Sequence, residues 1–280
     1  MERTATYKPV KFFFFTYLLT WVSWFSAAYF SYRDNGGLIY PVLMLPGLIA
    51  PFGIALSMIL SSKDKTLRKG FKNKLFNLRL IRPSSIPAIL FIMPAAVLLS
   101  ILVSTLFGQS IDQLRFSERF SFSAGFIPVF LVLFLAASFE ELGWRSYAMD
   151  SLRVKHNYFT ATLIFAFLWA FWHFPLYFIK DYYHYELART NIVFAVNFIV
   201  SVIPMAFIIS WICQRNGGSI TAAVLFHFLI NLTQEGLQIS QETKCIETIV
   251  LMLIAAIIVV TNKKMFFDRS LIIRHEQAVK

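Results

Sequence analysis

Apolar residues fall in long continuous blocks separated by short polar stretches. A membrane-crossing helix needs about 20 mostly apolar residues. The blocks are too long and too continuous for barrel strands. Backbone groups in lipid must be satisfied internally, so each block predicts a helix. Eight spans result: Lys11 to Tyr32, Leu38 to Ser61, Ile86 to Phe107, Ala124 to Asp150, Asn157 to Ile179, Asn191 to Cys213, Ser219 to Ile239 and Ile246 to Thr261. The last is short and extends to Phe267 if the following residues are included. The predicted fold is all-α: a polytopic bundle of eight transmembrane helices, one membrane domain over 1–280, with its site in an intramembrane cavity.

Composition agrees with the pattern. Hydrophobic residues make up 58% of the 280 and charged residues only 15%, where a soluble domain carries about 25% charged. No small-residue cleavage pattern follows the first block, so no cleavable signal peptide is expected. Cys213 and Cys245 suggest neither a disulfide framework nor a cysteine metal site.

The net charge of +11 would suit nucleic acid in a soluble protein. In this chain it reads as a positive-inside bias, with no nucleic-acid partner. With eight spans, nineteen Lys and Arg lie on the side of the termini and six on the other. That places both termini in the cytoplasm. The basic loop 62–85 interleaves Lys and Arg with Leu and Phe, and is expected at the membrane surface against lipid headgroups. It could also attract a substrate carboxylate. The tail 262–280 is basic too.

Ionisable side chains inside spans cost several kcal/mol and are functional candidates by default. Span four ends in FEELGWRSYAMD, with Glu140, Glu141 and Arg145. Glu141 and Arg145 are one helical turn apart with the acid first, the favoured order for an ion pair. Glu140 points about 100° away, beside Trp144 and without a basic partner one turn on. A desolvated carboxylate of this kind suits a general base or acid. Span five carries His173, and Pro175 predicts a kink there, since proline has no N–H for the carbonyl of Phe171. Span seven carries His227 and Asn231 on one face. They form either a helix-to-helix hydrogen-bonded pair or two donors into a common space. Together these groups have the means to add water to an amide and to hold the resulting oxyanion. By helical rise, Glu140 lies about 15 Å from its end of the span, His227 about 12 Å and His173 about 24 Å. Tilt, the kink or a later start to span five must close that difference.

At these residues the chain resembles the CAAX protease and bacteriocin-processing family, and within it the Ras-converting CAAX prenyl endopeptidases, archaeal members above all. The likeness rests on Glu-Glu-x-x-x-Arg at Glu140, Glu141 and Arg145, Phe-x-x-x-His at Trp169 to His173, and His-x-x-x-Asn at His227 to Asn231. Trp169 stands where Phe is common. The resemblance implies an intramembrane endopeptidase that cleaves after the isoprenylated cysteine of a carboxyl-terminal CAAX sequence. Its partners would be that protein or peptide and membrane lipids. Glu140 and His173 would activate water, His227 and Asn231 would stabilise the oxyanion, and Glu141 and Arg145 would support them.

A zinc version would use Glu140, His173 and His227 as ligands. No His-Glu-x-x-His is present, since His275-Glu276 lacks a second His at the required place. Asn231 suits an oxyanion donor better than a ligand, so no cofactor is favoured. A transporter and a non-catalytic scaffold or immunity protein are the rival classes. Pro46, Pro51, Pro94 and Pro204 fit a permeation path, but no inverted repeat is visible.

Overall fold

The computed structural model describes residues 7–33, 36–75, 77–117 and 128–268. The start of the fourth expected span, 124–127, and most of the basic tail, 269–280, lie outside the described residues. The order is α1 (Pro9–Ser31), α2 (Gly36–Ser61), α3 (Lys65–Lys74), α4 (Ile86–Thr105), α5 (Val129–Gly143), α6 (Met149–Arg153), α7 (Tyr158–Trp172), α8 (Tyr183–Thr190), α9 (Ile192–Arg215), α10 (Ile220–Gly236), α11 (Gln241–Thr261) and α12 (Lys263–Phe267). A π-helical turn, Trp144–Ala148, joins α5 to α6, and a 3₁₀ turn, Phe174–Phe178, follows α7. An isolated bridge between Phe116 and Leu237 is the β pairing among the described residues.

The all-helical membrane fold is therefore as expected. Among the described residues six helical segments are long and apolar enough to cross a membrane: Pro9–Ser31, Ile39–Ser61, Pro83–Thr105, Tyr158–Phe178, Ile192–Arg215 and Gln241–Thr261. The remaining two expected spans correspond to α5 (15 residues) and α10 (17 residues), shorter than a full crossing. The π turn continues α5 directly into α6, which lengthens the helical run. Many large apolar side chains are exposed on the outside, among them Phe14, Leu98, Phe167 and Ile257. In water such a surface would be an aggregation hazard; in a bilayer it is ordinary.

Two boundaries differ from the sequence reading. α7 stops at Trp172 instead of kinking and running on to Ile179. Pro175 offers Phe171 no N–H, and the chain tightens into the 3₁₀ turn with His173 as the cap. α11 starts at Gln241, five residues before the expected Ile246, because the Ser240 side chain accepts from the N–H of Thr243. The basic loop forms α3, N-capped by Asp64, with Leu67 buried and Lys74 paired to Asp150 at 2.5 Å.

Three prolines, Pro41, Pro46 and Pro51, interrupt the hydrogen-bond ladder of α2, and α1 supplies a donor at one of the breaks. Pro51 has no N–H for the carbonyl of Gly47, and Thr20 Oγ1 donates to that oxygen at 3.0 Å. Ser23 and Trp24 donate to the carbonyls of Leu43 and Met44. Side-chain donors of this kind are what make proline tolerable within a membrane helix. Trp172 at the end of α7 donates to the same Thr20 hydroxyl at 2.9 Å. The α1–α2 pair is thus tied to the segment that carries His173.

α2 also lies against the end of α5. A Cβ on Gly143 would come within 2.3 Å of the Pro51 backbone. Backbone cannot swing aside as a side chain does. Gly143→Ala should therefore destabilise the protein by about 1–3 kcal/mol, as over-packing does. Gly53→Ala meets nothing within 4 Å and should be neutral or stabilising by up to about 1 kcal/mol. Thermal unfolding in detergent checks both, and equal melting temperatures for the two variants would refute the close approach.

Candidate active site

The site is built where α5 runs into its π-helical turn. Such turns insert one extra residue into the helix and often occur at functional positions. Glu140 and Glu141 sit just before it, 7% and 0% exposed, and Arg145 lies within it at 2%. The expected ion pair is present: Arg145 Nε donates to Glu141 Oε2 at 2.6 Å. Arg145 Nη1 donates to Ser210 Oγ of α9 at 3.0 Å, and the guanidinium stacks 4.7 Å from the centre of the Phe165 ring.

Glu141 has a second partner that helical spacing could not reveal. Its Oε1 lies 3.0 Å from Nδ1 of His227 on α10. A carboxylate accepts, so that nitrogen carries a proton. His227 is thereby oriented, with Nε2 as its other edge. One carboxylate connects α5, the π turn and α10, and through Arg145 it reaches α9.

Trp144 is a near neighbour of Glu140, as expected, and its ring packs into the core against Phe12, Phe13, Phe165 and Trp172. The donor to Glu140 comes from α7: Trp169 Nε1 to Glu140 Oε2 at 2.8 Å. Phe, common at this motif position, could not make that bond. The Trp169 ring also contacts both histidines, with centroids 5.4 Å from His227 and 6.2 Å from His173. His173 turns back over its own helix, with Nδ1 2.9 Å from the carbonyl oxygen of Trp169. A carbonyl can only accept, so Nδ1 carries the proton and the neutral ring keeps its lone pair on Nε2.

These residues share one cavity of about 350 Å³. Glu140, His173, His227 and Asn231 all line it, together with Trp169. Despite the depth difference expected from helical rise, His173 lines the same cavity as the other groups, its ring folded back over its own helix. The cavity reaches one end of the bundle, past Tyr40 at the start of α2, Asn197 at the start of α9, Gln234 at the end of α10 and Lys244 at the start of α11. That end is the opposite one from α3, so the basic loop contributes nothing to the cavity wall. Trp169, His184, Lys244 and Glu247 belong to this wall and were missed in the sequence. Of these, Glu247 is an ionisable residue inside the eighth expected span, and Lys244 had a signal in Ser240-Gln241-Glu242, a helix start that brings it onto the same helix.

Among the described residues no group of three His, Cys, Asp or Glu side chains is arranged to hold a metal ion. The hydrogen bonds on Glu140 Oε2 and on Nδ1 of His173 and His227 leave Glu140 Oε1 and both Nε2 atoms for a water or a metal ion alike.

Comparison with known proteins identifies the family. A family model described as type II CAAX prenyl endopeptidase, Rce1-like, matches residues 122–233. That segment holds all three motifs, on α5 with its π turn, α7 and α10. The chain is also 49% identical over 269 residues to CAAX prenyl protease 2 of Methanococcus maripaludis, covering 96% of this chain and 99% of that one. With half of the residues shared over nearly the whole of both proteins, the chain belongs to the Rce1-like CAAX prenyl endopeptidase family and is a membrane peptidase.

Proposed function

We propose that this peptidase hydrolyses the peptide bond following an isoprenylated cysteine near a substrate's carboxyl terminus and releases the last three residues. The relative from Methanococcus maripaludis is named a CAAX prenyl protease. The observation that carries the reading is the position of Glu140. It is a buried carboxylate on a cavity wall, with one oxygen held by Trp169 and no basic side chain paired to it among the described residues. Lipid around the exposed apolar surface would hold the prenylated substrate at the height of the site.

The chemistry follows from the donors and acceptors. A water between Glu140 and His173 gives its proton to this pair as its oxygen attacks the scissile carbonyl carbon. The carbonyl electron pair moves onto oxygen, and His227 and Asn231 donate hydrogen bonds to that oxyanion. The tetrahedral intermediate then collapses. The proton passes to the departing amine, the C–N bond breaks, and the prenylcysteine is left with a new carboxylate. His227 can donate from Nε2 while Nδ1 donates to Glu141 only when both nitrogens are protonated. That state also balances the cluster, with two carboxylates against Arg145 and the imidazolium.

The direct test is tripeptide release from a farnesylated CAAX peptide by detergent-purified protein. Free tripeptide supports the reading; binding without release would indicate a scaffold or transporter. Glu140→Gln should remove turnover while leaving the melting temperature unchanged, and a folded variant with normal turnover would take Glu140 out of the mechanism. Asn231→Ala should lower the single-turnover rate by about 10²–10³-fold, the loss typical of one oxyanion donor, with KM little changed. A change confined to KM would contradict that role.

Two further outcomes concern the supporting shell. Trp169→Phe keeps the aromatic volume and deletes the N–H, so kcat should fall roughly tenfold, the worth of one hydrogen bond to a charged group. Unchanged kcat would show that the indole donor is dispensable. Glu141→Ala strands Arg145 and His227, and should cost about 3–5 kcal/mol of stability. Wild-type thermal stability in that variant would refute the ion-pair account.

A further inference from the structure

A peptide that ends three residues beyond the scissile bond brings a carboxylate with it. Drawing that charge into a mostly apolar cavity costs its hydration, and the cost must be met by a cation or by several donors. Among the described residues Lys244 is the one Lys or Arg on the cavity wall. It stands in the first turn of α11, at the wide end.

The ammonium group is held but not neutralised. Nζ lies 3.2 Å from the hydroxyl oxygen of Tyr183 and 4.9 Å from the centre of that ring. No carboxylate pairs with it among the described residues. Glu247, one turn further along α11, is the neighbour that would be expected to do so. It is close enough to feel the charge of Lys244 but makes no ion pair with it, and its Oε1 accepts from Gln234 Nε2 at 2.5 Å.

The leaving fragment is short, and Lys244 shares its cavity with the cleavage site. An extended chain spans at most about 3.3–3.6 Å per residue, so three residues reach roughly 10 Å. From the water-activating pair, His173 stacks on His184 with ring centres 5.9 Å apart. His184 abuts Tyr183 at 5.5 Å, and Tyr183 carries Lys244. These contacts form a continuous wall from the site of cleavage to the cation. Glu235 and Glu247 share the same wall, so without Lys244 this end of the cavity would repel an anion.

We infer that Lys244, oriented by Tyr183, binds the carboxyl-terminal carboxylate of the peptide substrate and so fixes the distance from the chain end at which cleavage occurs. This rests on the prenyl-peptide reading above. It assigns Lys244 to binding rather than to the chemistry.

The test compares a farnesylated CAAX peptide with a free terminal carboxylate against the same peptide as its carboxamide. Wild type should prefer the acid by about tenfold in kcat/KM, a typical value for one charge-assisted hydrogen bond, mostly through KM. Lys244→Met should bring the acid down to the level of the amide and leave the amide unchanged, which also shows that the variant is folded. Lys244→Arg should keep the preference. Equal cleavage of acid and amide by wild type, or an undiminished preference in Lys244→Met, overturns the assignment while leaving the peptidase reading intact. Failure of wild type to release tripeptide from either peptide instead overturns the prenyl-peptide reading, and this inference with it.

Discussion

The buried cluster of Glu141, Arg145 and His227 is the constraint around which the membrane domain is arranged. Charges withdrawn from water are tolerated only when each is met by an opposite charge or a hydrogen bond. Glu141, fully buried, uses one oxygen for Arg145 and the other for His227. Arg145 adds Ser210 on α9. Three segments that are distant in sequence are thereby fixed relative to one another, including the two short helices, α5 and α10, that carry the site.

That arrangement divides the labour between adjacent carboxylates. Glu141 has its charge and both its oxygens engaged within the protein. Glu140 faces the cavity, with the Trp169 indole donating to one oxygen. The helix end at His173 completes the geometry, since a continuing α7 would carry the chain onward in place of the 3₁₀ turn. The proline that stops α7 and those that break the α2 ladder have related effects. Each removes a backbone hydrogen bond, and the Thr20–Trp172 contact ties the two interrupted regions together.

Local patterns made much of this legible from sequence. Apolar blocks revealed the helical membrane class, and one-turn spacing gave the Glu141–Arg145 pair and the shared face of His227 and Asn231. Three motifs in three separate spans were sufficient to indicate the family. The rest depended on contacts between helices, which periodicity does not encode. Trp169 looked like a mild departure from a Phe position, yet its N–H meets Glu140 across the bundle. Glu141 looked like a partner for Arg145 alone until α10 brought His227 to it. Pro175 signalled a disturbance, but spacing alone does not distinguish a kink from the 3₁₀ turn that ends α7. Lys244 was assigned to a loop because its polar neighbours masked a helix start.

The chain is a membrane peptidase by family, and the central claim is that its own side chains activate the water. The most direct measurement is turnover of a prenylated CAAX peptide by purified protein after chelation, with residual metal quantified by elemental analysis. The account predicts full activity at metal contents far below one ion per chain. Loss of activity on metal removal, restored by zinc alone, would contradict it.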